Sequence, residues 1–430
     1  RRTANGTTTG AWETVNTGSA FTNGVSGDAH NVIAFGICAT DGTLHMAWDH
    51  HGHTLRYRKS VAGLCTTNKA AWGAGMMNAE QNWLVASGQT ISTVTYPLFV
   101  SAPSGGLAFQ WRFGSSGSGD NMLSLYNGTT HAWSTPIQFD TRNGTYTEGA
   151  FTGTSRNAYL NGFDFGPDGK MHISWTYREG AGTSNHDICY AYSSDQGVTW
   201  RNNAGTVIAD TSLGQRISLT SPGILTKRKD LNQLLINQQA QCVDPDGRMH
   251  MLMLHRREDP GFEYPNITTA VYSINGTAYY HYFRDPLTNR WAQRRIPPNI
   301  APVGCRPTLG YDANGNLYAA YLTYTDRSEI FPGYRGGYLV IATASKESSY
   351  TDWEVVYTST TKFNGEPLLD QTRLEQDNIL SVFIQEDSTV TSDVGSPLHV
   401  VDFVVAPADS DNDARVLRFH LWTSLVGAVL

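Results

Sequence analysis

The sequence predicts an all-β protein, and three observations lead to that class. The 430 residues include 42 glycines, 11% aromatic residues and only 16% charged residues, a composition that suits short strands and tight turns. Turn dipeptides followed by alternating apolar residues recur along the chain, which is the signature of β-hairpins. Helical periodicity is not sustained anywhere, and the one candidate segment, Asn68 to Leu84, contains two glycines.

The hairpin motif repeats with a long period. Its copies read ATDGTLHMAW, APSGGLAFQW, GPDGKMHISW, DPDGRMHMLML, DANGNLYAAYL and, more weakly, LEQDNILSVFI. The glycines of the five clear copies are Gly42, Gly106, Gly169, Gly247 and Gly315, which are 64, 63, 78 and 68 residues apart. A strand repeat of this length is typical of a propeller blade with long loops.

We expect a seven-bladed β-propeller that forms one catalytic domain over residues 1–430. Six blades come from the six motif copies. The chain ends, including VVDFVVAPA and RVLRFHLW, would build the seventh blade together, which closes the ring and removes open sheet edges. A pair of β-sandwiches is the alternative, but it would not explain the even spacing.

Charge and composition exclude several partners. The net charge of −7, from 31 basic and 38 acidic residues, argues against a nucleic-acid or membrane-surface binder. No stretch reaches the ~18 apolar residues that a membrane span needs. Five glycosylation sequons indicate a secreted, extracellular protein, which we expect to be a monomer. The sequons are at Asn5, Asn127, Asn143, Asn266 and Asn275.

A second motif marks the fold. The segment ICYAYSSDQGVTW, from Ile188 to Trp200, contains S-x-D-x-G-x-T-W, the Asp-box pattern of sialidase-type propellers. The aspartate of such a turn bonds backbone donors and the tryptophan packs between strands. The motif therefore supports the propeller and carries no chemistry.

Polar residues recur at matched strand ends of successive blades, where propellers bind their substrates. His30 and Tyr96 each precede an inner strand, whereas the D-H-H-G-H run and Arg112 each follow a strand that begins at a turn glycine. Later blades offer Tyr159, Asn161, Arg178, His255 and Arg256. Side chains alternate along a strand, so His50 and His51 face opposite ways if the strand continues through them. A zinc site in this run is less favoured, because adjacent histidines rarely converge on one ion.

This set of side chains suits one reaction better than others. The sequence has no G-x-S-x-G elbow and no pair of carboxylates at equivalent blade positions, which disfavours a serine hydrolase and a two-carboxylate glycosidase. β-Elimination at a uronic acid needs an arginine to stabilise the developing charge on the carboxylate, and a histidine or tyrosine to move protons.

The residues also resemble a known family. The string DAHN, then DGTLHMAWDHHGHTLRYRKS, YP, WRF, YLNGFDFGPDGKMHISWTYREG and the Asp box resemble the BNR-repeat propeller polysaccharide lyases. That family includes ulvan lyases and a fungal L-rhamnose-α-1,4-D-glucuronate lyase that acts on gum arabic. The resemblance implies catalytic residues His30, His51, Tyr96 and Arg112, with His51 chosen over His50.

From the resemblance and the secreted composition we expect a lyase that releases L-rhamnose from gum arabic and leaves an unsaturated glucuronate. An ulvan-type endolyase, a sialidase-like hydrolase and a carbohydrate-binding propeller are the alternatives. Arg112 would pair with the carboxylate, and His51 and Tyr96 would transfer protons, their order being open. We expect no cofactor for the chemistry, while the resemblance implies a structural calcium ion with unassigned ligands. The expected substrate contacts are Arg178, Asn161 and Arg256.

Overall fold

The computed structural model describes residues 4–5, 8–20, 28, 30–67, 72–180, 185–258, 277–297, 306–323, 336–387, 396–405, 417–418 and 424–426. The chain divides into two compact units, one from Thr14 to Leu231 and one that combines Arg1–Glu13 with Asn232–Leu430. Strands β1 (Ala4–Asn5) and β2 (Thr8–Thr9) form an antiparallel pair in the second of these units. The single domain over residues 1–430 stays a prediction.

The unit from Thr14 to Leu231 contains three larger sheets and one hairpin. The first sheet consists of β3 (Ile33–Cys38), β4 (Thr43–Trp48) and β6 (Tyr57–Lys59). The second consists of β5 (His51–His53), β7 (Val94–Ser101), β8 (Leu107–Ser115), β9 (Ser118–Asn127), β10 (Ala132–Trp133) and β11 (Ile137–Gln138). Strands β12 (Tyr146–Glu148) and β13 (Phe151–Gly153) form the hairpin. The third sheet consists of β14 (Arg156–Phe165), β15 (Met171–Glu179), β16 (Asn185–Ser193), β17 (Thr199–Arg201), β18 (Val207–Asp210) and β19 (Leu225–Lys227).

The other unit contains two larger sheets. The four-stranded sheet consists of β20 (Ala240–Val243), β21 (Met249–Arg256), β22 (Thr277–Arg284) and β23 (Trp291–Arg295). The eight-stranded sheet consists of β24 (Thr308–Tyr311), β25 (Leu317–Thr323), β26 (Gly337–Ala344), β27 (Glu354–Leu369), β28 (Ile379–Glu386), β29 (Leu398–Val405), β30 (Leu417–Arg418) and β31 (Ser424–Val426). Helix α1 (Gln371–Asp377) follows β27, and the side chain of Asp370 caps its N-terminus by accepting from the backbone N–H of Arg373. Among the described residues, no helix has both the length and the apolar character of a membrane span.

The repeated motif explains where the core lies. Four of its five glycines enter the left-handed backbone region that glycine tolerates best, as at Gly42 (φ 64°) and Gly169 (φ 77°), whereas in the second copy Gly105 (φ 84°) does so in place of Gly106. In the first copy, the strand that follows the turn, β4, is fully buried. The tryptophans that end the first three copies, Trp48, Trp111 and Trp175, are at most 2% exposed. Burial of these strands and rings supplies the main driving force for folding.

The histidine of the motif is a structural residue. His45, His172 and His250 occupy the same position in three copies, and all are buried. Their Nδ1 atoms make hydrogen bonds of 2.7 Å with the Tyr57 hydroxyl, 2.8 Å with the Tyr190 hydroxyl and 2.9 Å with His281 Nε2, respectively. Each bond joins the motif strand to another strand of its sheet, so each ring has a hydrogen-bond partner within the core.

The all-β prediction is confirmed, but the count of seven blades is wrong. The described residues form five sheets of three or more strands. The fifth and sixth motif copies share the eight-stranded sheet, because β27 is 16 residues long and pairs with both β26 and β28. The expected closing blade is also absent from the described residues, since β30 and β31 pair with β29 whereas β1 pairs with β2.

The Asp box has the predicted geometry. The Asp195 carboxylate accepts from the backbone N–H of Thr199 at 2.8 Å and from its hydroxyl at 2.6 Å. Ser193 Oγ donates to the same carboxylate at 2.9 Å, and Trp200 is fully buried. In the segment Asn68 to Leu84, whose described part begins at Trp72, one short 3₁₀ turn is present at Ala74–Met76.

Candidate active site

The D-H-H-G-H run separates two adjacent histidines. Asp49 has a positive φ of 67° and directs the chain into β5. His50 is fully buried, its Nε2 accepts from the backbone N–H of Arg56 at 2.8 Å, and burial lowers its pKa to about 4. The His51 side chain is 25% exposed. His50 therefore belongs to the interior, and His51 is the member of the pair that solvent can reach.

His51 stacks on His30. The ring centroids are 4.2 Å apart and the planes differ by 17°. Asp28 holds both rings, because its Oδ1 lies 2.6 Å from His30 Nδ1 and its Oδ2 lies 2.9 Å from His51 Nδ1. The backbone N–H of His30 also donates to Oδ1 at 3.0 Å. This bond is the main reason why the pKa of Asp28 falls to about 2, and the two imidazole hydrogen bonds lower it further.

The same contacts determine which nitrogen carries the proton. Asp28 is ionised at neutral pH and can only accept hydrogen bonds, so each Nδ1 must be the donor. The Nε2 atom of each neutral ring then keeps its lone pair. Among the described residues, neither Nε2 of His30 nor Nε2 of His51 has a hydrogen-bond partner. Both imidazoles are therefore arranged to accept a proton at Nε2.

Tyr96 lies beside the stacked pair in a strained backbone conformation. Its ring centroid is 5.9 Å from that of His30 and 6.1 Å from that of His51. Its φ is 53°, in the left-handed region, although it precedes Pro97 and is not a glycine. The pairing of β7 with β8 shifts register between Thr95 and Leu98 at this point. Such outliers cost about 1–3 kcal/mol and cluster at functional sites.

Arg112 is a buried cation between two phenol rings. Its side chain is 2% exposed, and its guanidinium carbon lies 4.7 Å from the Tyr96 ring and 5.0 Å from the Tyr159 ring. None of its three guanidinium nitrogens has a hydrogen-bond partner among the described residues. Gly119 makes this position possible, because a Cβ there would lie 2.9 Å from the Arg112 side chain. A buried guanidinium with unused donors is a site for an anion.

Tyr159 is a further titratable residue of the site, for which the sequence pattern predicted no specific role. It is 3% exposed, and its ring centroid is 6.0 Å from that of Tyr96. Burial raises the pKa of its hydroxyl, but the nearby charge of Arg112 and a 3.4 Å hydrogen bond from Asn157 Nδ2 outweigh burial and bring the pKa to about 8. The sequence contained a signal, since Tyr159 precedes its blade's motif strand as Tyr96 does. For Asp28 and Asn157 the sequence contained no signal other than their closeness along the chain to His30 and Tyr159.

The expected substrate contacts are placed differently. Arg178 lies directly opposite Asn157 in the pairing of β14 with β15, so its side chain shares the sheet face of Asn157 and Tyr159. Asn161 lies at the bulge of β14, and its Nδ2 donates to Ser174 Oγ at 3.2 Å. Arg256 ends β21 in the other unit. The structure thus groups the four expected catalytic residues and Arg178 in one unit.

Asp28, His30 and His51 also form the one group of possible metal ligands among the described residues. Their candidate atoms lie within 4.8 Å of one another. Two stacked, nearly parallel imidazoles cannot direct their in-plane lone pairs at one ion without rotating. The hydrogen bonds to Asp28 account for the arrangement without a metal, and a structural calcium ion elsewhere remains a prediction.

The comparisons with known proteins concern the family and the fold of the chain. The profile described as BNR repeat-containing family member matches residues 1–299. The ulvan lyase, long isoform, of Pseudoalteromonas sp. (strain PLSV) is 23% identical over 268 residues, which are 54% of this chain and 26% of the relative. The ulvan lyase, long isoform, of Alteromonas sp. (strain LOR) is 23% identical over 270 residues, 55% of this chain and 26% of the relative. The chain spans about a quarter of the length of these curated relatives.

Solved structures show the same fold. The crystal structure of the polysaccharide lyase Uly1 has a TM-score of 0.61 and 17% identity, covering 86% of this chain and 77% of that one. An ulvan lyase bound to -[GlcA(1-4)Rha3S]- has a TM-score of 0.59 and 14% identity, covering 88% of this chain and 80% of that one. The profile covers well over half of the chain and agrees with the repeated motif. The chain therefore belongs to the BNR repeat-containing family, with a β-propeller arrangement of its sheets.

Proposed function

We propose that this chain is a polysaccharide lyase that cleaves the bond to O4 of a glucuronate by β-elimination. One observation carries the proposal: Arg112 is buried and positively charged, and no carboxylate pairs with it among the described residues. A uronate carboxylate supplies the missing acceptors and the missing negative charge. The two histidines and two tyrosines nearby are groups that transfer protons.

Each residue has a role in this reaction. Arg112 pairs with the carboxylate and stabilises the negative charge that develops when the C5 proton leaves. His51 Nε2 accepts that proton, since its Nδ1 is committed to Asp28. The electron pair forms the C4–C5 double bond and the C4–O bond breaks. The Tyr96 hydroxyl then protonates the departing oxygen, while His30 orients the sugar.

Ulvan is the substrate that we favour. Two curated relatives are named ulvan lyases, and one structural relative was solved with -[GlcA(1-4)Rha3S]- bound. The release of rhamnose from gum arabic, expected from the sequence, stays a prediction and concerns the same linkage between rhamnose and glucuronate. Secretion and a monomeric state belong to the same proposal, and the sequons at Asn127 and Asn143 are exposed.

The test is digestion of ulvan and of gum arabic in parallel. A lyase generates the ultraviolet absorbance of an unsaturated uronate, and free rhamnose reports removal of a terminal sugar. Arg112→Ala should abolish the absorbance change. Arg216→Ala is the matched control, because this arginine donates only to loop carbonyls at Thr211 and Gln215 in its described contacts.

Other results would contradict the proposal. New reducing ends without absorbance would identify a hydrolase. Tight binding of the polymers without turnover would identify a carbohydrate-binding protein. Full activity of Arg112→Ala would show that the guanidinium is not needed for turnover and would contradict the proposed mechanism.

A further inference from the structure

We propose that Asp28 is a positioning residue that fixes the tautomer of both His30 and His51 and makes the two rings act as one unit. The inference rests on the proposed function for its kinetic consequence, but its structural content is independent of any substrate. One carboxylate serves two imidazoles, with its oxygens 2.6 and 2.9 Å from the two Nδ1 atoms. No role was expected for Asp28 from the sequence.

Asp28 joins two parts of the chain. It is held locally, because its carboxylate accepts from the backbone N–H of His30 at 3.0 Å and its carbonyl accepts from that of Asn31 at 3.3 Å. It then reaches His51, which is 23 residues further along the chain. The carboxylate therefore determines the position of a ring on β5 relative to a ring that precedes β3.

Charge gives the second part of the argument. Two positively charged imidazolium rings stacked at 4.2 Å would repel each other, whereas the anion of Asp28 is bonded to both rings and attracts a positive one. The other ionisable groups at the pair are the Tyr96 phenol, 5.9–6.1 Å from the two rings, and Arg112 beyond it.

His53 completes the surroundings of the pair. Its Nδ1 accepts from the backbone N–H of His51 at 3.1 Å, so it supports the backbone of β5 and makes no bond to either catalytic ring among the described contacts. Asp28 therefore determines, in both rings, whether Nε2 has a free lone pair and can act as a base or carries the ring proton.

Asp28→Asn is the decisive variant. The amide has the size of the carboxylate and keeps the local turn, but its nitrogen donates, so one of the two rings must then accept at Nδ1 and carry its proton on Nε2. We expect a fall in kcat of about 100-fold or more, with KM changed by less than about threefold.

Nitrogen-15 chemical shifts of the imidazoles give a readout that needs no substrate. The wild type should show His30 and His51 protonated at Nδ1, and Asp28→Asn should convert one of them to the Nε2–H form at an unchanged melting temperature. The matched control is Glu386→Gln, which alters a carboxylate bonded to His399 at 2.7 Å in the other unit and should leave turnover unchanged.

The outcomes separate this inference from the proposed function. An Nε2–H tautomer of either ring in the wild type overturns the inference, even if the protein is a lyase. An unchanged kcat in Asp28→Asn does the same. If the wild type cleaves neither polymer, the proposed function fails and the tautomers alone decide the structural claim.

Discussion

The coupling between Arg112 and Tyr159 makes the sharpest prediction. A free tyrosine has a pKa of ~10, whereas the pKa of Tyr159 is about 8. The difference of ~2 pKa units corresponds to ~3 kcal/mol in favour of the phenolate. Burial acts in the opposite direction, so the attraction of the guanidinium, 5.0 Å from the ring, and the hydrogen bonds together exceed this figure. Arg112→Ala should therefore raise the pKa of Tyr159 above that of a free tyrosine.

The assay is a spectrophotometric titration of tyrosinate absorbance between neutral and alkaline pH. The wild type should show one tyrosine that ionises near pH 8, and Tyr159→Phe should lack this step, which assigns it. Arg112→Ala should lose the step, while Arg112→Lys should keep part of the shift because it keeps the charge. A step near pH 8 that persists in Arg112→Ala would refute the electrostatic account of this site.

Three further predictions follow from single contacts. His51→Ala should lose turnover by about 100-fold or more at nearly unchanged stability, whereas His50→Ala should mainly lower the melting temperature; activity lost equally in both variants would contradict the division of this pair. Glu179→Gln should lower the free energy of unfolding by about 3–5 kcal/mol in a denaturant titration, because it leaves the fully buried Arg156 guanidinium without its ion pair, and a loss below ~1 kcal/mol would be inconsistent with that. Burial raises the pKa of Asp140 to about 7. Its contribution to stability, up to ~4 kcal/mol, is therefore present below pH ~4 and is lost as pH rises through about 7. Asp140→Asn should reduce this dependence, which is measured as the difference between the unfolding free energies of wild type and variant across that range.

The repeat made the strands predictable. The Gly42 and Gly169 turns and the tryptophans after them lie where the hairpin pattern placed them, because turn chemistry and strand alternation are local properties. The number of sheets was not predictable in this way. Whether β27 ends after one sheet or continues into the next depends on long-range pairing, which the local pattern of Glu354–Leu369 does not specify.

The same distinction between local properties and long-range contacts applies to the candidate site. Strand alternation predicted that His50 and His51 separate, and they do, although the cause is the break between β4 and β5 at Asp49. The matched strand ends indicated His30, Tyr96 and Arg112. The sequence could not show that Asp28 binds two rings, since that requires the spatial distance between β5 and the turn before β3.

Asn161 and Tyr159 illustrate the same limit. The bulge between Leu160 and Gly162 turns Asn161 toward Ser174, and a shift of one residue in pairing cannot be read from composition. The pKa of Tyr159 depends on a guanidinium that is distant in sequence and adjacent in space.

The continuous β27 also affects how the protein opens. The two pairings of β27 meet at Phe363, which lies opposite Gly337 of β26 and opposite Glu386 of β28, so one continuous strand joins the two motif copies. Amide hydrogens of β26 and β28 should therefore exchange with solvent in one cooperative step. The remaining four sheets, which contain one motif copy each, are free to exchange at rates of their own.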